Sequence, residues 1–336
     1  MKTLSVSVAC YNGKNFIRKC LDSFVESGVM EDVEILVTDD GSKDESPVIV
    51  SDYAEEWPGS IKLIRQENQG PGSTVRSGAK YASGKYFRMV DCDDWVDPVS
   101  FAALVRRLKE TDADLVISSY TEVDDKTGEK RPRILYPPEG VRFGETVPAE
   151  KALQDDLFMH AAVFKTSIFK RISDGIFNGF YTDAQYLLFP LPYVKTAEYF
   201  SKEVYQYRVS LDGQSVSYPS LQKNVRQHRA MLDSVLRLAE EYGKRSDRKE
   251  ALARFLFRRA AYYCGTQMGI DLSFYPDKER KKEFYAFYDS LKRLHPTVFR
   301  EFSRLKTAKV LRFRFLYGAV SRLHRRKIGM KQYEVK

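Results

Sequence analysis

The 336-residue chain is poor in the residues that build disulfide frameworks and zinc sites. It has four cysteines and four histidines, and no two cysteines have the CxxC spacing of a metal or redox motif. This scarcity excludes a small disulfide-stapled fold and a structural zinc site. The cysteines are therefore expected to be reduced and mostly buried, as in a cytoplasmic protein. They are Cys10, Cys20, Cys92 and Cys264.

Long apolar runs and the common phosphate-binding glycine loops are also missing. No stretch approaches the roughly 18 apolar residues of a membrane span, and the short apolar run that ends at Cys10 does not resemble a signal peptide. We therefore expect a protein that is soluble or peripheral to a membrane. Neither GxxxxGKS/T nor GxGxxG occurs. Any bound phosphate must then be neutralised by a metal ion and by lysine or arginine.

Charge is distributed unevenly along the chain. Residues 1–100 carry 11 lysines and arginines against 17 acids, a net charge of −6. Because the whole chain has a net charge of +9, the remaining residues carry +15. An acidic front and a basic rear suggest two roles, one of which involves an anionic partner.

Strands and helices alternate from the N-terminus to about residue 120. Apolar runs that stop at polar or glycine-containing turns predict strands at Leu4–Cys10, Val33–Thr38, Ile61–Arg65 and Tyr86–Val90. Apolar residues at helical spacing between these runs predict the crossover helices. This alternation is typical of an α/β fold, with a mostly parallel sheet flanked by helices on both faces.

Asp91, Asp93 and Asp94 directly follow the fourth predicted strand. Three acids in four residues repel one another, so a fold that holds them at a strand end usually contains a cation to offset them. Carboxylate oxygens suit Mg²⁺ or Mn²⁺, and these ions in turn bind phosphate oxygens. A solvated acidic turn is the alternative when this acid cluster is considered alone.

Polar side chains also follow the other predicted strands: Tyr11–Asn12, Asp39–Asp40 and Asn68. In parallel sheets, ligands bind beyond the carboxyl ends of the strands. These side chains and the acid cluster are therefore expected to converge on one site. A carboxylate there can accept hydrogen bonds from a nucleotide base or ribose, and a metal ion on the acid cluster would hold a diphosphate.

In this order and spacing, the motifs resemble those of the family 2 inverting glycosyltransferases, which have the GT-A fold. The resemblance covers about the first 100 residues. It is strongest to enzymes that build bacterial cell-surface polymers, including wall teichoic acid and capsule transferases. The segments that carry it are Val6–Asn12, Val37–Ser42, Asn68–Gly70 with Arg76 and Gly78, and Gly84–Tyr86 followed by Asp91–Asp94.

This resemblance implies a role for each motif. Asp93 would bind Mn²⁺ or Mg²⁺, Asp91 would hold the ribose, and Asp94 would support the metal or the donor sugar. The residues implied to line a uridine pocket are Ala9, Tyr11, Asp39 or Asp40, Asn68 and Arg76.

Two positions depart from the family pattern. Ala9 stands where Pro or Thr is common, and Ser77 stands where Asn usually follows the arginine. Neither change removes a charge that the reaction needs. They are therefore expected to alter contacts with the donor more than the reaction itself.

The resemblance also implies a general base at Asp183. Family members often carry Glu-Asp here, and in this chain Thr182 replaces the Glu. The alternative is that Asp183 only caps the helix that follows it. Residues 204–217 resemble the family's closing element, in which Arg208 would contact the diphosphate. A surface arginine on a strand is the alternative for Arg208.

The predicted domain organisation has three parts. A catalytic domain spans 1–217, with a nucleotide-binding half at 1–100 and an acceptor half at 101–217. Apolar residues at helical spacing predict a helical module at 218–300, and a basic segment occupies 301–336.

The basic segment is unusual because residues 302–333 contain ten lysines and arginines and no acid. Its interleaved apolar and aromatic residues predict a basic amphipathic helix that lies on an anionic membrane surface. Packing on the protein itself and self-association into a homo-oligomer are alternatives. Nucleic acid is not expected as a partner, because no known binding motif accompanies the charge.

Together, these features predict a metal-dependent, inverting glycosyltransferase that uses a UDP-sugar. Its acceptor would be a hydroxyl of a cell-surface glycan or a polyol-phosphate polymer, either free or lipid-linked. The predicted location is cytoplasmic, at the inner face of the cell membrane. A non-catalytic scaffold that binds nucleotide or polymer is the alternative, although intact Asp91, Asp93 and Asp183 argue against it. A nucleotidyltransferase is a weaker option, since no glycine-rich loop follows the first strand.

Overall fold

The computed structural model describes residues 1–154, 157–210 and 217–329. The chain folds into two compact units, Met1–Asp212 and Gly213–Lys336. The predicted divisions at residues 100 and 300 stay predictions.

The first unit is built on one ten-stranded sheet over its described residues. The strands are β1 (Leu4–Cys10), β2 (Val33–Asp39), β3 (Ile61–Arg65), β4 (Tyr86–Asp91), β5 (Trp95–Val96), β6 (Leu115–Asp124), β7 (Lys130–Arg133), β8 (Thr146–Pro148), β9 (Ala162–Lys165) and β10 (Thr196–Val209). The helices are α1 (Ile17–Val25), α2 (Ser46–Glu56), α3 (Pro71–Tyr81), α4 (Pro98–Glu110), α5 (Ala149–Ala152), α6 (Thr166–Phe169) and α7 (Thr182–Leu188).

The spatial order of the sheet is β3-β2-β1-β4-β9-β6-β10-β5, with β7 beside β6 and β8 beside β10. The pairings among β3, β2, β1 and β4, and that of β6 with β10, are parallel. The antiparallel pairings are short, and β9 makes two of them, with β4 and β6. The α/β class predicted from the sequence is therefore confirmed, with a sheet that is parallel in its longest pairings.

Strands β1, β2 and β4 are almost entirely buried. A sheet that is covered on both faces needs mostly apolar strands, and the polar residues Ser5, Ser7 and Arg88 within these strands are buried as well. Their carboxyl ends lie at one edge, where Cys10 is beside Asp39 and Ala9 is beside Asp91. The sheet thus brings the polar residues that follow these strands to one place.

The second unit is helical over its described residues. Its helices are α8 (Tyr218–Lys223), α9 (Val225–Lys244), α10 (Glu250–Ser273), α11 (Lys278–Leu294), α12 (Pro296–Phe302), α13 (Lys306–Leu311) and α14 (Tyr317–Lys327). Helix α11 begins after Asp277, whose carboxylate accepts a hydrogen bond from the Arg280 backbone N–H (2.8 Å) and so caps the helix. No helix in the described ranges is long and apolar enough to cross a membrane.

The prediction of a single basic helix over 302–333 is wrong within the described residues. The segment is divided into α13, a 3₁₀ turn at Arg314–Leu316, and α14. The Tyr285 hydroxyl donates a hydrogen bond to the Leu311 carbonyl (2.8 Å), which a continuous helix would use for its own i+4 bond. The break lets both Leu311 and Tyr317 be buried. Residues 330–333 lie outside the described part of the chain.

Glu198 of β10 is fully buried, and its hydrogen bonds with Arg107 join the sheet to α4. Its carboxylate accepts hydrogen bonds from Arg107 Nε (2.6 Å), Arg107 Nη2 (3.0 Å) and the Thr111 hydroxyl (2.7 Å). Glu198→Gln is expected to lower the free energy of unfolding by about 3 kcal/mol, because it leaves the buried side of the guanidinium without its counter-charge. Urea denaturation measures this change.

Glu110→Gln is the matched control, because Glu110 pairs with the same arginine on its solvent side and is 67% exposed. Loss of an exposed pair is expected to cost less than about 1 kcal/mol. Equal losses in the two variants would contradict a structural role for the buried pair.

Candidate active site

Three carboxylates lie together where β4 ends. Asp91 is the last residue of β4, and Asp93 and Asp94 follow in a turn. The Asp94 backbone N–H donates to the Asp91 carbonyl (3.0 Å) and closes this turn. One oxygen from each of the three carboxylates lies within 4.8 Å of the others. The acid cluster predicted from the sequence is thus formed in space.

Asp94 is held in place by β10. One oxygen of its buried carboxylate accepts a hydrogen bond from the Tyr205 hydroxyl (2.6 Å), and the other accepts from the Arg208 backbone N–H (2.7 Å). The Tyr205 oxygen also accepts from the Asp91 backbone N–H (3.2 Å). Asp94 therefore joins the acidic turn to a strand more than a hundred residues away, and it supports the cluster from inside the fold.

Burial raises the pKa of all three acids, and the charges of neighbouring aspartates raise those of Asp91 and Asp94 further. Burial, followed by the charges of Asp93 and Asp183, raises the pKa of Asp91 to about 8. Burial also raises the pKa of Asp93, and burial with the charges of Asp93 and Asp91 raises that of Asp94 well above its ordinary range. Such a cluster gains from a bound cation. A donor set made of carboxylate oxygens fits Mg²⁺ or Mn²⁺.

Arg208 lies beside the acid cluster and is mostly buried. Its Nε donates to the Asp93 carbonyl (2.6 Å), and its Nη1 pairs with the Asp125 carboxylate. The guanidinium carbon is 5.0 Å from the ring centroids of both Phe16 and Trp95. Arg208 thus places a positive charge next to the cluster, and it is not the open surface arginine of the alternative interpretation.

Asp39 and Asp40 are both buried after β2, but the structure uses them differently. The two oxygens of Asp40 accept hydrogen bonds from the backbone N–H groups of Gln69 (3.0 Å) and Gly70 (2.8 Å). Asp40 therefore holds the loop that precedes α3. Asp39 accepts a bond from the Ser42 N–H through Oδ1 (3.2 Å), whereas its buried Oδ2 has no hydrogen-bond partner among the described residues.

The loop after β1 completes this edge of the site. Asn12 has a left-handed backbone (φ 50°). Its N–H donates to the Ser42 hydroxyl (2.9 Å), and its side-chain oxygen accepts from the Lys43 N–H (2.9 Å). The neighbouring Tyr11 is exposed, and Ala9 lies in β1 beside Asp91. The loops after β1 and β2 are thus fastened to each other next to the acid cluster.

Arg76 and Asn68 lie on either side of the start of α3. Asn68 is exposed on the loop that Asp40 holds. The Arg76 Nη1 donates to the Ile176 carbonyl (2.6 Å), so it connects α3 to the chain before α7. Arg76 also lines a polar cavity of about 400 Å³, to which no residue of the acid cluster contributes. The other lining residues are Gln66, Gln69, Ser73, Ser77, Ala79, Lys80, Lys170, Ser173 and Asp174.

Asp183 is exposed in the first turn of α7. The cap position belongs to Tyr181, which has a left-handed backbone (φ 68°), so the alternative that Asp183 is the N-cap residue is wrong. After burial and the nearer aspartates, the charge of Asp183 contributes to the raised pKa of both Asp91 and Tyr207. Asp183 therefore lies within electrostatic reach of the acid cluster.

The chain before α7 packs directly on the loop that Asp40 holds. A Cβ on Gly72 would overlap the Phe177 carbonyl oxygen, and a Cβ on Gly70 would overlap that of Asn178. Gly70 also has a φ of +88°, which favours glycine. The Phe177 N–H donates to the Gln185 side-chain oxygen (2.9 Å), which anchors the segment to α7. These close contacts set the height of α7, and so of Asp183, relative to α3.

The protein-family model described as glycosyl transferase family 2 matches residues 5–173, just over half of the chain. The chain belongs to glycosyltransferase family 2. The resemblance inferred from the sequence is thereby confirmed, and the matched region contains all of the predicted site except Asp183 and Arg208.

Curated relatives and solved structures agree with this assignment. EpsH of Bacillus subtilis is 38% identical over 130 residues, which are 38% of this chain and 37% of EpsH. The poly(ribitol-phosphate) beta-glucosyltransferase of Bacillus spizizenii is 29% identical over 125 residues, 37% of this chain and 20% of the relative. The chain thus matches well under half of the length of these relatives. The structure of S. aureus TarS 1–349 in complex with UDP covers 99% of this chain and 93% of its own, with a TM-score of 0.67 and 19% identity. This likeness confirms the GT-A fold.

Two side chains that organise the family 2 site were not predicted. Tyr205 bonds Asp94, and its only signal in the sequence is an alternating strand, 204–208, in which Tyr205 and Tyr207 share a face. Gln66 donates through Nε2 to Asp40 (2.7 Å) and accepts from the Ser77 hydroxyl (2.7 Å). Ser77, which replaces the usual Asn, is therefore part of the network around Asp40.

Gly72→Ala tests the contact between the start of α3 and the segment that leads to Asp183. The added methyl group must displace the Phe177 backbone, so we expect the free energy of unfolding to fall by about 1–3 kcal/mol. Sugar transfer, the activity expected of a family 2 member, should fall further than the unfolded fraction explains, because Asp183, the predicted base, is moved. Chemical denaturation and a transfer assay on the same preparation measure both effects.

Gly59→Ala is the control, since a Cβ there has no neighbour within 4 Å. It should leave both quantities unchanged within about 0.5 kcal/mol and twofold in rate. Full activity in Gly72→Ala would show that this contact does not position Asp183.

Proposed function

We propose that this family 2 protein transfers a sugar from a UDP-sugar, with inversion, to a hydroxyl of a cell-surface glycan or polyol-phosphate polymer. The observation that carries the proposal is the common edge of the site. There the acid cluster lies beside the end of β1, and Asp39, whose Oδ2 has no partner among the described residues, ends the strand on the other side of β1. The charge of the exposed Asp183 carboxylate acts on Asp91 of the cluster. A nucleotide, a diphosphate and a reacting hydroxyl each need one of these groups.

The donor nucleoside is assigned to the loops after β1, β2 and β3. The buried Asp39 Oδ2 is an acceptor without a partner in the described structure, and it suits an N–H of the base. The exposed Tyr11 and Asn68 are assigned to the same pocket from the loops after β1 and β3, together with Ala9, which precedes Cys10, the register partner of Asp39. Asp40 shapes this pocket by holding the loop at Gln69. Arg76 is assigned to the same pocket, and it joins α3 to the chain before α7 through the Ile176 carbonyl.

The diphosphate is assigned to the acid cluster. Asp93 is proposed as the metal ligand, Asp91 as the partner of the ribose, and Asp94 as their support from β10. A divalent cation bound there would neutralise the diphosphate and ease its departure. Arg208 adds a permanent positive charge at the same place.

Asp183 is proposed as the general base. As the acceptor oxygen forms its bond to the anomeric carbon, the bond from that carbon to the UDP oxygen breaks and the electron pair leaves with UDP. The acceptor proton passes to the Asp183 carboxylate. Attack from the face opposite the leaving group inverts the anomeric centre. The exposed position of Asp183 at the first turn of α7 leaves room for an acceptor hydroxyl.

The relatives supply the donor and acceptor classes. TarS was solved with UDP, and the relative from Bacillus spizizenii is named for poly(ribitol-phosphate). A polyol-phosphate polymer or a similar glycan is therefore proposed as the acceptor, at the cytoplasmic face of the membrane. The scaffold alternative does not account for three acids and a base kept at one edge of the sheet.

Asp183→Asn tests the base. The amide cannot take a proton, so turnover of the UDP-sugar is expected to fall by roughly 10²–10⁴-fold, while UDP affinity stays unchanged. Transfer is measured by UDP release from a panel of UDP-sugars with a polyol-phosphate acceptor. Nuclear magnetic resonance of the product reports whether the anomeric configuration is inverted.

Asp174→Asn, an exposed acid in the 3₁₀ turn at Ser173–Gly175, removes the same charge nearby and is expected to keep normal turnover. Normal turnover in Asp183→Asn would refute the base assignment. A product with retained configuration would refute the single displacement.

Asp93→Asn tests the metal site. Neutralising this ligand is expected to reduce UDP affinity in Mn²⁺ to the level seen for the unchanged protein in EDTA, at least tenfold lower. Calorimetric titration of UDP measures both, with the exposed Asp112→Asn as the control for lost charge. UDP affinity that EDTA does not alter would separate Asp93 from a metal role. A protein that binds no UDP under either condition would refute the proposed donor.

A further inference from the structure

The end of the second unit exposes an aromatic and basic surface. We name the tip the residues of the turn between α13 and α14, Arg312–Leu316. Phe315 is 78% exposed and Phe313 is 45% exposed, and their ring centroids are 6.2 Å apart. Two neighbouring phenylalanines in water are unfavourable, since each keeps a large apolar area hydrated. Such a pair is typical of a surface that meets an apolar partner.

Helix α14 extends the same surface. Tyr317, Ser321 and Arg325 are buried, and they lie on one face at spacings of four residues. Ala319 and Leu323 lie four residues apart on a face of α14 that is exposed, with Leu323 69% exposed. Phe315 precedes α14, in the 3₁₀ turn Arg314–Leu316. The exposed apolar residues of the tip and of this helix face are together called the apolar stripe.

The segment that carries the apolar stripe is rich in cations. Residues 302–329 contain nine lysines and arginines and no acid. Three of them are engaged: Arg304 with Glu301, Arg314 with Asp289, and Arg325 with the Ser273 carbonyl. The other six form no ion pair with any carboxylate that the structure describes. They are Lys306, Lys309, Arg312, Arg322, Arg326 and Lys327.

We infer that this surface docks on an anionic lipid bilayer, with Phe313, Phe315 and Leu323 in the headgroup region and the six cations on lipid phosphates. Two observations favour a bilayer over a folded partner. The apolar groups project from a single turn and a single helix face, so they enter a soft surface without a shaped pocket. Exposed cations precede and follow these apolar groups along the chain, and cations of this kind can pair with the phosphates of lipid headgroups. This inference rests on the proposed function, because docking on the membrane would bring the protein to a lipid-linked acceptor.

Vesicle flotation tests the inference without donor or acceptor, so its result is independent of the proposed function. The full chain is expected to float with phosphatidylcholine vesicles that contain 30% phosphatidylglycerol, and not with pure phosphatidylcholine. Phe313→Ala with Phe315→Ala should weaken binding at least tenfold. Lys309→Gln with Arg322→Gln and Arg326→Gln should weaken it at least as much, because each cation near an anionic leaflet is worth on the order of fivefold.

Matched controls separate the surface from general effects of charge and exposure. Tyr262→Ala removes a half-exposed aromatic side chain from α10. Lys278→Gln with Lys282→Gln and Lys292→Gln removes three exposed cations from α11. Both controls should float like the unchanged protein. Circular dichroism melting confirms that every variant is folded, which is expected because the substituted residues are exposed.

Three results would overturn the inference. The first is an unchanged protein that does not float with the anionic vesicles. The second is equal loss in the α11 control. The third is a surface that binds a soluble polyol-phosphate polymer, or forms oligomers in sedimentation, while ignoring vesicles. In that last case the stripe belongs to acceptor recognition or to self-association. UDP release in the same variants shows whether the catalytic proposal stands regardless.

Discussion

The bonds that β10 makes to the Asp94 carboxylate are the interaction on which the site depends. They join the turn after the fourth strand to residues more than a hundred positions later. Asp91 and Asp93 are therefore held by the hydrogen-bonded sheet. A buried carboxylate beside two others is electrostatically unfavourable. The Tyr205 hydroxyl and the Arg208 backbone offset part of that cost, and the neighbouring Arg208 guanidinium adds a fixed positive charge. The cluster is thus held ready for a cation.

A second buried carboxylate, Asp40, has a different function in the same edge. It uses both oxygens to hold backbone N–H groups of the loop before α3, and Gln66 extends the network to Ser77. Its neighbour Asp39 keeps one oxygen without a described partner. Of these two adjacent acids, Asp40 thus fixes the loop, whereas Asp39 has a carboxylate oxygen that can accept a hydrogen bond from a ligand. This division would let a chain without a phosphate-binding glycine loop form the proposed nucleotide site.

The sequence predicted the first four strands to within a residue, because each is a short segment rich in apolar residues that stops at a polar turn. The second half of the sheet was not predictable in this way. Strand β9 is short and antiparallel to both neighbours, and β10 pairs with β6 through register shifts near Glu203. In the site, the motifs located the acids, but only hydrogen bonds distinguish Asp39 from Asp40. Periodicity also missed the break before α14, because a tertiary bond from Tyr285 causes it.

The contact of Gly70 and Gly72 with the Phe177–Asn178 backbone has a consequence for how such a site can vary. Main chain meets main chain there, with no side chain between the two segments. The spacing between the start of α3 and α7 is then independent of which side chains lie in the predicted acceptor half. Substitutions across 120–180 can reshape the acceptor groove while leaving that spacing untouched. Under the proposed function, a change of acceptor would need no change in the position of Asp183, and the two glycines are the condition for that freedom.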